Sequence, residues 1–257
     1  MFPSLYISHG SPMLALEPGA SGPALARLAA ELPKPEAIVI VSAHWESNEL
    51  LVSGNPQPET WHDFGGFPQA LFDVEYPAPG HPALAREAVG AVTQTGVIGT
   101  QQWGLDHGTW TVLKHLYPKA DIPVFQLSID YDKPAAFHYA IGRDLAALRD
   151  KGVLVMGSGN VVHNLRATDR GTPDGLTASR PWAQSFDDAV KAALAGRDDR
   201  ALIAYEKLEG AATAVAMPDH YFPFLYALGA AGAGERPKTV YEGFQSGTLS
   251  MRCLQFG

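Results

Sequence analysis

The chain has 257 residues, of which 46% are hydrophobic and 18% charged, a composition typical of a folded globular protein rather than a disordered one. Its formal net charge of −8 argues against a nucleic-acid partner, and no apolar run approaches the about 18 residues that span a membrane. The single cysteine, Cys253, excludes an intrachain disulfide and a cysteine-based zinc site, and it favours a cytoplasmic location. With nine histidines in the chain, any bound metal would be held by imidazole and carboxylate groups.

Short apolar runs rich in β-branched residues alternate with helical patterns along the chain. The apolar runs predict buried strands at 4–8, 36–43, 122–129 and 152–159. The segments between them predict helices at 23–32, 81–92, 135–150 and 182–196. This alternation predicts an α/β fold, with a mostly parallel central sheet flanked by helices, built as a single domain over residues 1–257.

Two further segments have no helical pattern. Residues 166–180 are rich in Thr, Asp, Gly and Pro, which predicts a loop. Residues 239–256 alternate between apolar and polar side chains, which predicts one or two strands and a hairpin turn near Ser246–Gly247.

Histidines follow three of the predicted apolar runs. The run at 4–8 leads into His9, the run at 36–43 leads into His44, and the run that begins at Val153 leads into His163. Ligands of open α/β sheets bind beyond the carboxyl ends of the strands, so three imidazoles would meet at that edge. A single histidine at such a position is more often structural, but the repetition predicts a metal site of the imidazole type.

Other histidines are weaker candidates. His220 lies near the start of an apolar helix, where it is either a further ligand or a residue of the helix start with Asp219 as the N-cap. His107 is followed by Gly108, whose backbone would let the imidazole approach a ligand. His62 belongs to an aromatic loop, while His81, His115 and His138 fall in helical patterns and are interpreted as structural or solvated.

Motifs for other chemistries are missing from the sequence. The stretch GSGNVV at 157–162 lacks the third glycine of a dinucleotide-binding fingerprint, and no GK[ST] of a phosphate loop occurs. No G-x-S-x-G nucleophile elbow occurs either. A metal-dependent reaction is therefore the leading hypothesis.

A series of ordered motifs resembles a known family over nearly the whole chain. They include SHGSP (8–12), SAHW (42–45), HDFGGFP (62–68), GLDHGTW (104–110), GSGNVVHNLR (157–166) and PDHYFPFLYALGAA (218–231). The chain resembles the DOPA-dioxygenase-like class III extradiol ring-cleavage dioxygenases, which are related to the protocatechuate 4,5-dioxygenase β-subunit. The resemblance implies an oxidoreductase that opens a catechol ring with O₂ at a non-heme iron site.

The same resemblance implies a function for each histidine of the motifs. His9 and His44 would be metal ligands, and His220 would occupy the third ligand position. His163 would be the active-site base, and His107 would be the second catalytic imidazole. Related two-histidine, one-carboxylate iron sites have Glu where this chain has His220. Such an imidazole-rich site suits Zn²⁺ well, so Fe(II) is expected for activity and Zn(II) as a readily bound metal.

The expected partners are a small aromatic diol and O₂, without nucleic acid or membrane, and no oligomeric state is predicted. Aromatic side chains would form flat walls for the ring, with Trp45, His62 and Tyr221 as the main candidates and Trp61 and Phe64 as further ones, although core packing is an equally common use of such aromatic residues. Arg166 is a candidate partner for a substrate carboxylate.

Two other classes remain open. One is a zinc-dependent hydrolase with a metal-bound water, although the chain has no H-E-x-x-H motif to supply a carboxylate base. The other is a non-catalytic metal-binding interaction protein of the same superfamily. The presence of both His107 and His163 beside the predicted ligands favours an enzyme, because a binding protein needs no pair of proton-transfer groups.

Overall fold

The computed structural model describes residues 1–168 and 177–257. The strands in these residues are β1 (Ser4–Ser8), β2 (Ala37–Ser47), β3 (Leu50–Ser53), β4 (Val97–Thr100), β5 (Val124–Asp130), β6 (Val153–Gly159), β7 (Pro237–Tyr241), β8 (Phe244–Gln245), β9 (Leu249–Ser250) and β10 (Cys253–Phe256). The α-helices are α1 (Ser21–Glu31), α2 (Gln69–Phe72), α3 (Pro82–Ala91), α4 (His107–Leu116), α5 (Ala135–Arg149), α6 (Pro181–Gly196), α7 (Asp199–Ile203), α8 (Ala211–Ala214) and α9 (Phe222–Ala230).

Eight strands form one sheet in the order β4-β3-β5-β2-β6-β1-β10-β7. The four central strands, β5, β2, β6 and β1, run parallel to one another. The antiparallel pairs lie further out, where β3 meets β5 and where β10 meets β1 and β7. The predicted α/β fold with a mostly parallel central sheet is therefore confirmed.

The central strands are buried on both faces, as parallel strands covered by helices are. Along β2, Val39 and Val41 belong to the apolar core on one face, while Ile38 and Ile40 belong to the core on the other. Helices α3, α5, α6 and α9 contribute to the first core, and helices α1 and α4 contribute to the second. The sheet thus forms the middle layer and holds the ends of its strands in fixed positions.

Several local features differ from the sequence prediction. Strand β2 continues past residue 43, so His44 lies within the strand. Strand β6 ends at Gly159, and His163 lies beyond it in a segment that bridges to Val215 and Leu249. The strands β3 and β4 were not predicted, because each has only four residues and its apolar periodicity is weak. Of helix α4, the sequence indicated only that His115 falls in a helical pattern.

The hairpin turn predicted near Ser246–Gly247 is confirmed, but residues 239–256 contain all or part of four strands, β7 to β10, where one or two were predicted. Strands β8 and β9 form a hairpin, and both Ser246 and Gly247 have positive φ angles in its turn, as tight hairpin turns require. Of the loop predicted at 166–180, residues 169–176 lie outside the described part of the chain. Within the described ranges, no helix combines the length and apolar character needed to cross a bilayer.

Candidate metal centre and active site

Five imidazoles from distant parts of the chain meet at one edge of the sheet. His9 directly follows β1, His44 lies in β2, and His163 lies beyond β6. His107 is the first residue of α4, and His220 ends a 3-10 turn that precedes α9. The predicted convergence of His9, His44 and His163 is therefore observed, and it also includes His107 and His220 from helical segments.

The distances between the five rings are short. His9 Nε2 lies 3.1 Å from His44 Nε2, and potential ligand atoms of His9, His44 and His107 all lie within 4.8 Å of one another. The His220 ring centroid lies 5.2 Å from that of His9 and 5.0 Å from that of His44. His163 stacks on His220 with centroids 3.5 Å apart.

A distortion of β2 brings His44 into the site. Val41 pairs with Leu127 of β5, but the next paired residue of β2 is Glu46, which pairs with Ile129. The intervening residues of β2 bulge away from the ladder, and such bulges re-aim side chains next to active sites.

A buried carboxylate positions His107 at the start of α4. Asp106 is the N-cap of this helix and accepts a hydrogen bond from Thr109 N–H (3.1 Å). It also accepts one from Ser42 Oγ (2.6 Å) and one from Gln126 Nε2 (2.7 Å). Burial raises the pKa of the Asp106 carboxyl above its ordinary value, which is the expected effect of removing a carboxylate from water.

Hydrogen bonds at Nδ1 fix the orientation of three of the imidazole rings. His107 Nδ1 donates to Asp63 Oδ2 (3.0 Å) and His220 Nδ1 donates to Asp219 Oδ2 (2.6 Å), because an ionised carboxylate can only accept. His9 Nδ1 lies 2.9 Å from Ser158 Oγ, whose own proton is donated to the carbonyl of Gly108. In all three rings Nε2 keeps its lone pair, as in metal-binding histidines oriented by outer partners.

Burial and mutual repulsion favour the neutral form of three imidazoles of the cluster, His9, His44 and His163. Burial, followed by repulsion from the neighbouring imidazoles, lowers the pKa of His9 and of His44 well below the ordinary value. The same two causes lower the pKa of His163 to about 3. Burial opposes ionisation of Asp63 and Asp219, but hydrogen bonds from His107 and His220 outweigh it and lower the pKa of both carboxyls.

This donor set fits a divalent metal ion. Neutral imidazoles are the form that binds metals. In a tetrahedral site with Zn–N bonds of about 2.0–2.1 Å, two ligand nitrogens lie roughly 3.3 Å apart, close to the 3.1 Å between the Nε2 atoms of His9 and His44. The geometric group His9–His44–His107 shares two members with the ligand set predicted from sequence, and His220 lies beside it.

A cavity of about 390 Å³ opens over the imidazoles. His44, His107, His163 and His220 line its floor, and Phe64 and Phe67 form an aromatic wall. The Phe64 ring lies edge-on to His107, with centroids 5.6 Å apart. The remaining lining is provided by Gly10, Ser11, Pro12, Leu165, Thr168, Ser246 and Leu249. The volume and the mixture of aromatic and polar groups are those of a small-molecule site.

The four candidate substrate-binding residues lie in different surroundings. Trp45 is buried, and its ring stacks on Trp103 with centroids 4.7 Å apart. Tyr221 is also buried, and its hydroxyl donates to the carbonyl of Leu202 (2.9 Å). Neither residue is part of the described cavity lining.

The other two candidates lie closer to the cavity. His62 bonds to the carbonyl of Val74 (2.9 Å) and packs behind the Phe64 ring, with centroids 5.8 Å apart. Arg166 lines an adjoining cavity of about 210 Å³ that shares His163 and Leu165 with the main one.

Sequence reasoning missed several residues of the site. Asp63 follows His62 in the aromatic loop, and its acidic side chain between aromatic residues was the available signal. Thr168, Ser246 and Leu249 reach the cavity from the C-terminal half of the chain, and no local pattern marks them, since tertiary folding alone brings them there.

The fold and the site together define a class of protein. It is an α/β protein with a group of imidazoles suited to a metal ion and with further imidazoles beside that group. Comparison with known proteins agrees, because residues 3–251 match the family described as the catalytic LigB subunit of aromatic ring-opening dioxygenase. The chain belongs to this family of oxidoreductases. The family predicted from the sequence motifs is thus confirmed.

Individual relatives cover almost the whole chain. It is 47% identical to the 4,5-DOPA dioxygenase extradiol of Escherichia coli (strain K12), over 99% of this chain and 94% of that protein. It is 35% identical to the 4,5-DOPA dioxygenase extradiol of Beta vulgaris, over 98% and 96%. An uncharacterised protein of Escherichia coli K12, known from a crystal structure, superimposes with a TM-score of 0.86 at 40% identity, and each chain is covered completely.

Proposed function

We propose that this chain opens the ring of a small catechol with O₂, by cleavage beside the two hydroxyl groups, at a non-heme Fe(II) site. The observation that carries the proposal is the convergence of five imidazoles, four of which line one cavity with an aromatic wall. Three of the imidazoles are oriented from behind, so their lone pairs are available to a metal or to a proton. A hydrolase needs only one base beside its metal-bound water, whereas this cavity contains more imidazoles than a ligand set requires.

The metal is proposed to be held by His9, His44 and His220. The Nε2 atoms of His9 and His44 have the spacing of ligands on one ion. His220 Nδ1 donates to the Asp219 carboxylate, so His220 Nε2 points away from that carboxylate. When bound, Fe(II) supplies Lewis-acid activation of the diol and a redox partner for O₂. Zn(II) is expected to occupy the same imidazoles readily, because its affinity for such sites exceeds that of Fe(II).

His163 and His107 are proposed as the proton-transfer groups. The low pKa of His163 keeps it neutral at physiological pH, so that its lone pair can accept a hydroxyl proton of the diol. His107 lines the cavity on the side of Phe64 and faces the other side of a bound ring.

The relatives named DOPA dioxygenases support a catechol with a short charged side chain as the substrate class. The ring is proposed to lie against Phe64 and Phe67 with its hydroxyls over the imidazoles. Arg166 lines the adjoining cavity, and we propose it as the partner of a carboxylate that reaches past Leu165. Trp45 and Tyr221 are proposed to support the site through the core rather than by contact with the ring. The cytoplasmic location expected from the single cysteine stays a prediction.

Reconstitution of the metal-free protein under anaerobic conditions tests this function. Samples loaded with Fe(II) or Zn(II) are mixed with DOPA, protocatechuate and plain catechol, and O₂ uptake and ring-opened product are followed. The proposal predicts turnover with Fe(II), none with Zn(II), and a strong loss in the Fe(II)-loaded His163→Ala variant. Intact catechols in every Fe(II) sample would refute the dioxygenase. Hydrolysis of an ester panel by the Zn(II) sample would support the hydrolase instead.

A further inference from the structure

The Asp63 carboxylate makes two hydrogen bonds to a single residue. Its Oδ1 atom accepts from the backbone N–H of His107 (2.8 Å), and its Oδ2 atom accepts from His107 Nδ1 (3.0 Å). The imidazole is buried, with 7% of the His107 side chain exposed, whereas 26% of the Asp63 side chain is exposed. This two-point contact fixes both the position of the helix start and the rotation of the ring.

The contact also selects the tautomer of His107. A carboxylate has no proton to donate, so the proton of the neutral ring must lie on Nδ1. Nε2 is then left with its lone pair on the side of the cluster, where the ring centroid of His44 lies 3.8 Å from that of His107. An outer partner of this kind raises the basicity of an imidazole and holds its orientation.

Asp63 lies on the loop that supplies the aromatic wall. Before Asp63, two hydrogen bonds fix Trp61. The Trp61 backbone N–H donates to the carbonyl of Leu105 (2.8 Å), and Trp110 Nε1 donates to the carbonyl of Trp61 (2.9 Å). After Asp63 come Phe64, two glycines and Phe67, and Gly66 has a φ of +79°. A Cβ added to either glycine would meet no atom within 4 Å. The hydrogen bonds between Asp63 and His107 tie this part of the loop to α4.

We propose that Asp63 is a positioning residue that links the position of the catechol ring in the cavity to the orientation and tautomer of His107. Through one carboxylate it holds the Phe64–Phe67 wall against the His107 ring and keeps the Nε2 lone pair of that ring directed into the cavity. A catechol held by the wall is thereby presented to an imidazole in the accepting form. The inference rests on the proposed function for its catalytic consequence, but its structural part is independent of that function.

Asp63→Asn is the most informative variant. The amide oxygen can still accept from the His107 backbone N–H, but the amide nitrogen then faces Nδ1 as a donor. Of these groups only the imidazole can adapt, by moving its proton to Nε2. The variant is therefore expected to keep the loop in place and to lose the accepting lone pair inside the cavity.

The variant is tested by kinetics and by the tautomer of His107. In Fe(II)-loaded enzyme we expect Asp63→Asn to lower kcat by about 10–100-fold, the usual cost of losing an outer partner, while KM changes little. Asp63→Ala removes both hydrogen bonds and is expected to raise KM as well, because the wall is released. Asp73→Asn is the matched control, since this exposed carboxylate accepts a hydrogen bond from Gln69 Nε2 in the same region, and the change should leave both constants unchanged.

Nitrogen NMR of histidine-labelled protein reads the tautomer directly, with Zn(II) bound and after its removal. In the wild type the His107 proton should lie on Nδ1 both with Zn(II) bound and after its removal. In metal-free Asp63→Asn that proton should lie on Nε2 instead. A wild-type His107 protonated on Nε2, or an Asp63→Asn variant with unchanged kcat, would overturn the inference. If no form turns over any catechol, the proposed function fails, while the wild-type spectrum still decides whether Asp63 sets the tautomer.

Discussion

Gly159 lies directly against the backbone of His220. A Cβ built on Gly159 would come within 2.2 Å of the His220 carbonyl oxygen, and the next residue, Asn160, donates its N–H to that same oxygen (2.9 Å). Gly157 makes a similar approach to the carbonyl of Pro223. The GSG stretch at the end of β6 is thus a packing surface that seats His220 in the site, and not a phosphate-binding turn.

This relationship predicts the effect of Gly159→Ala. The added methyl group must displace the turn that carries His220, at a cost of about 1–3 kcal/mol in the free energy of unfolding, and metal affinity should fall with it. Gly90→Ala is the control, because Gly90 is exposed in the last turn of α3 and a Cβ there meets no atom within 4 Å. Unfolding by urea and metal titration of both variants provide the check, and equal metal affinities would contradict the packing argument.

Phe64 in the aromatic wall and Tyr221 in the core are expected to affect different quantities, KM and the free energy of unfolding. Phe64→Ala should raise KM for a catechol roughly 2–12-fold, which corresponds to the about 0.5–1.5 kcal/mol of a ring–ring contact. Tyr221→Phe should leave KM unchanged and cost about 1 kcal/mol of stability, because its hydroxyl bonds to Leu202 in the core. A larger change of KM in Tyr221→Phe than in Phe64→Ala would reverse the assignment of the wall.

The ligand set predicts which histidines determine metal content. His9→Ala and His44→Ala should each weaken Zn(II) binding by more than the about 10–100-fold that loss of an outer partner costs, and His220→Ala should do the same. His107→Ala should retain the metal while losing turnover. Metal analysis after gel filtration measures this directly, and a metal-free His107→Ala protein would place His107 in the ligand set of His9 and His44 in place of His220.

A histidine outside the site predicts how stability depends on pH. His138 is buried between Tyr226 and the carbonyl of Lys133, and burial lowers its pKa from 6.5 to about 4. The unfolded chain therefore binds the proton first as the pH falls below about 6.5. Stability should decline by about 3 kcal/mol in total between pH 6.5 and about 4 from this residue. The variant His138→Gln should lack that part of the decline in urea unfolding, and identical slopes for both proteins would disprove it.

The fold was largely predictable because its central strands and long helices have strong periodic patterns. Strands β3 and β4 escaped prediction, since four-residue strands carry little pattern. The start of helix α4 also escaped prediction, because its polar and glycine residues obscure the periodicity there. His44 also shows the limit of local reasoning, because the bulge that turns it into the site arises from pairing between β2 and β5.

The histidines of the site could be found from sequence because they recur after apolar runs and in family motifs. Their outer partners could not, because Asp63, Asp219 and Ser158 become informative only when distances are known. The residues that line the cavity were hardest to predict. Trp45 and Tyr221 have the composition of a pocket wall, yet burial places them in the core, whereas Leu249 and Thr168 reach the cavity only through tertiary folding.

The most direct test of extradiol cleavage is the structure of the product formed from isotopically labelled O₂ by the Fe(II)-loaded protein. The account predicts that both atoms of one O₂ enter a single ring-opened product, a semialdehyde whose broken bond lies beside the two hydroxyl-bearing carbons. Mass spectrometry counts the labelled atoms, and NMR of the product locates the break. A quinone without label, or a dicarboxylic acid broken between the two hydroxyl-bearing carbons, would contradict the account.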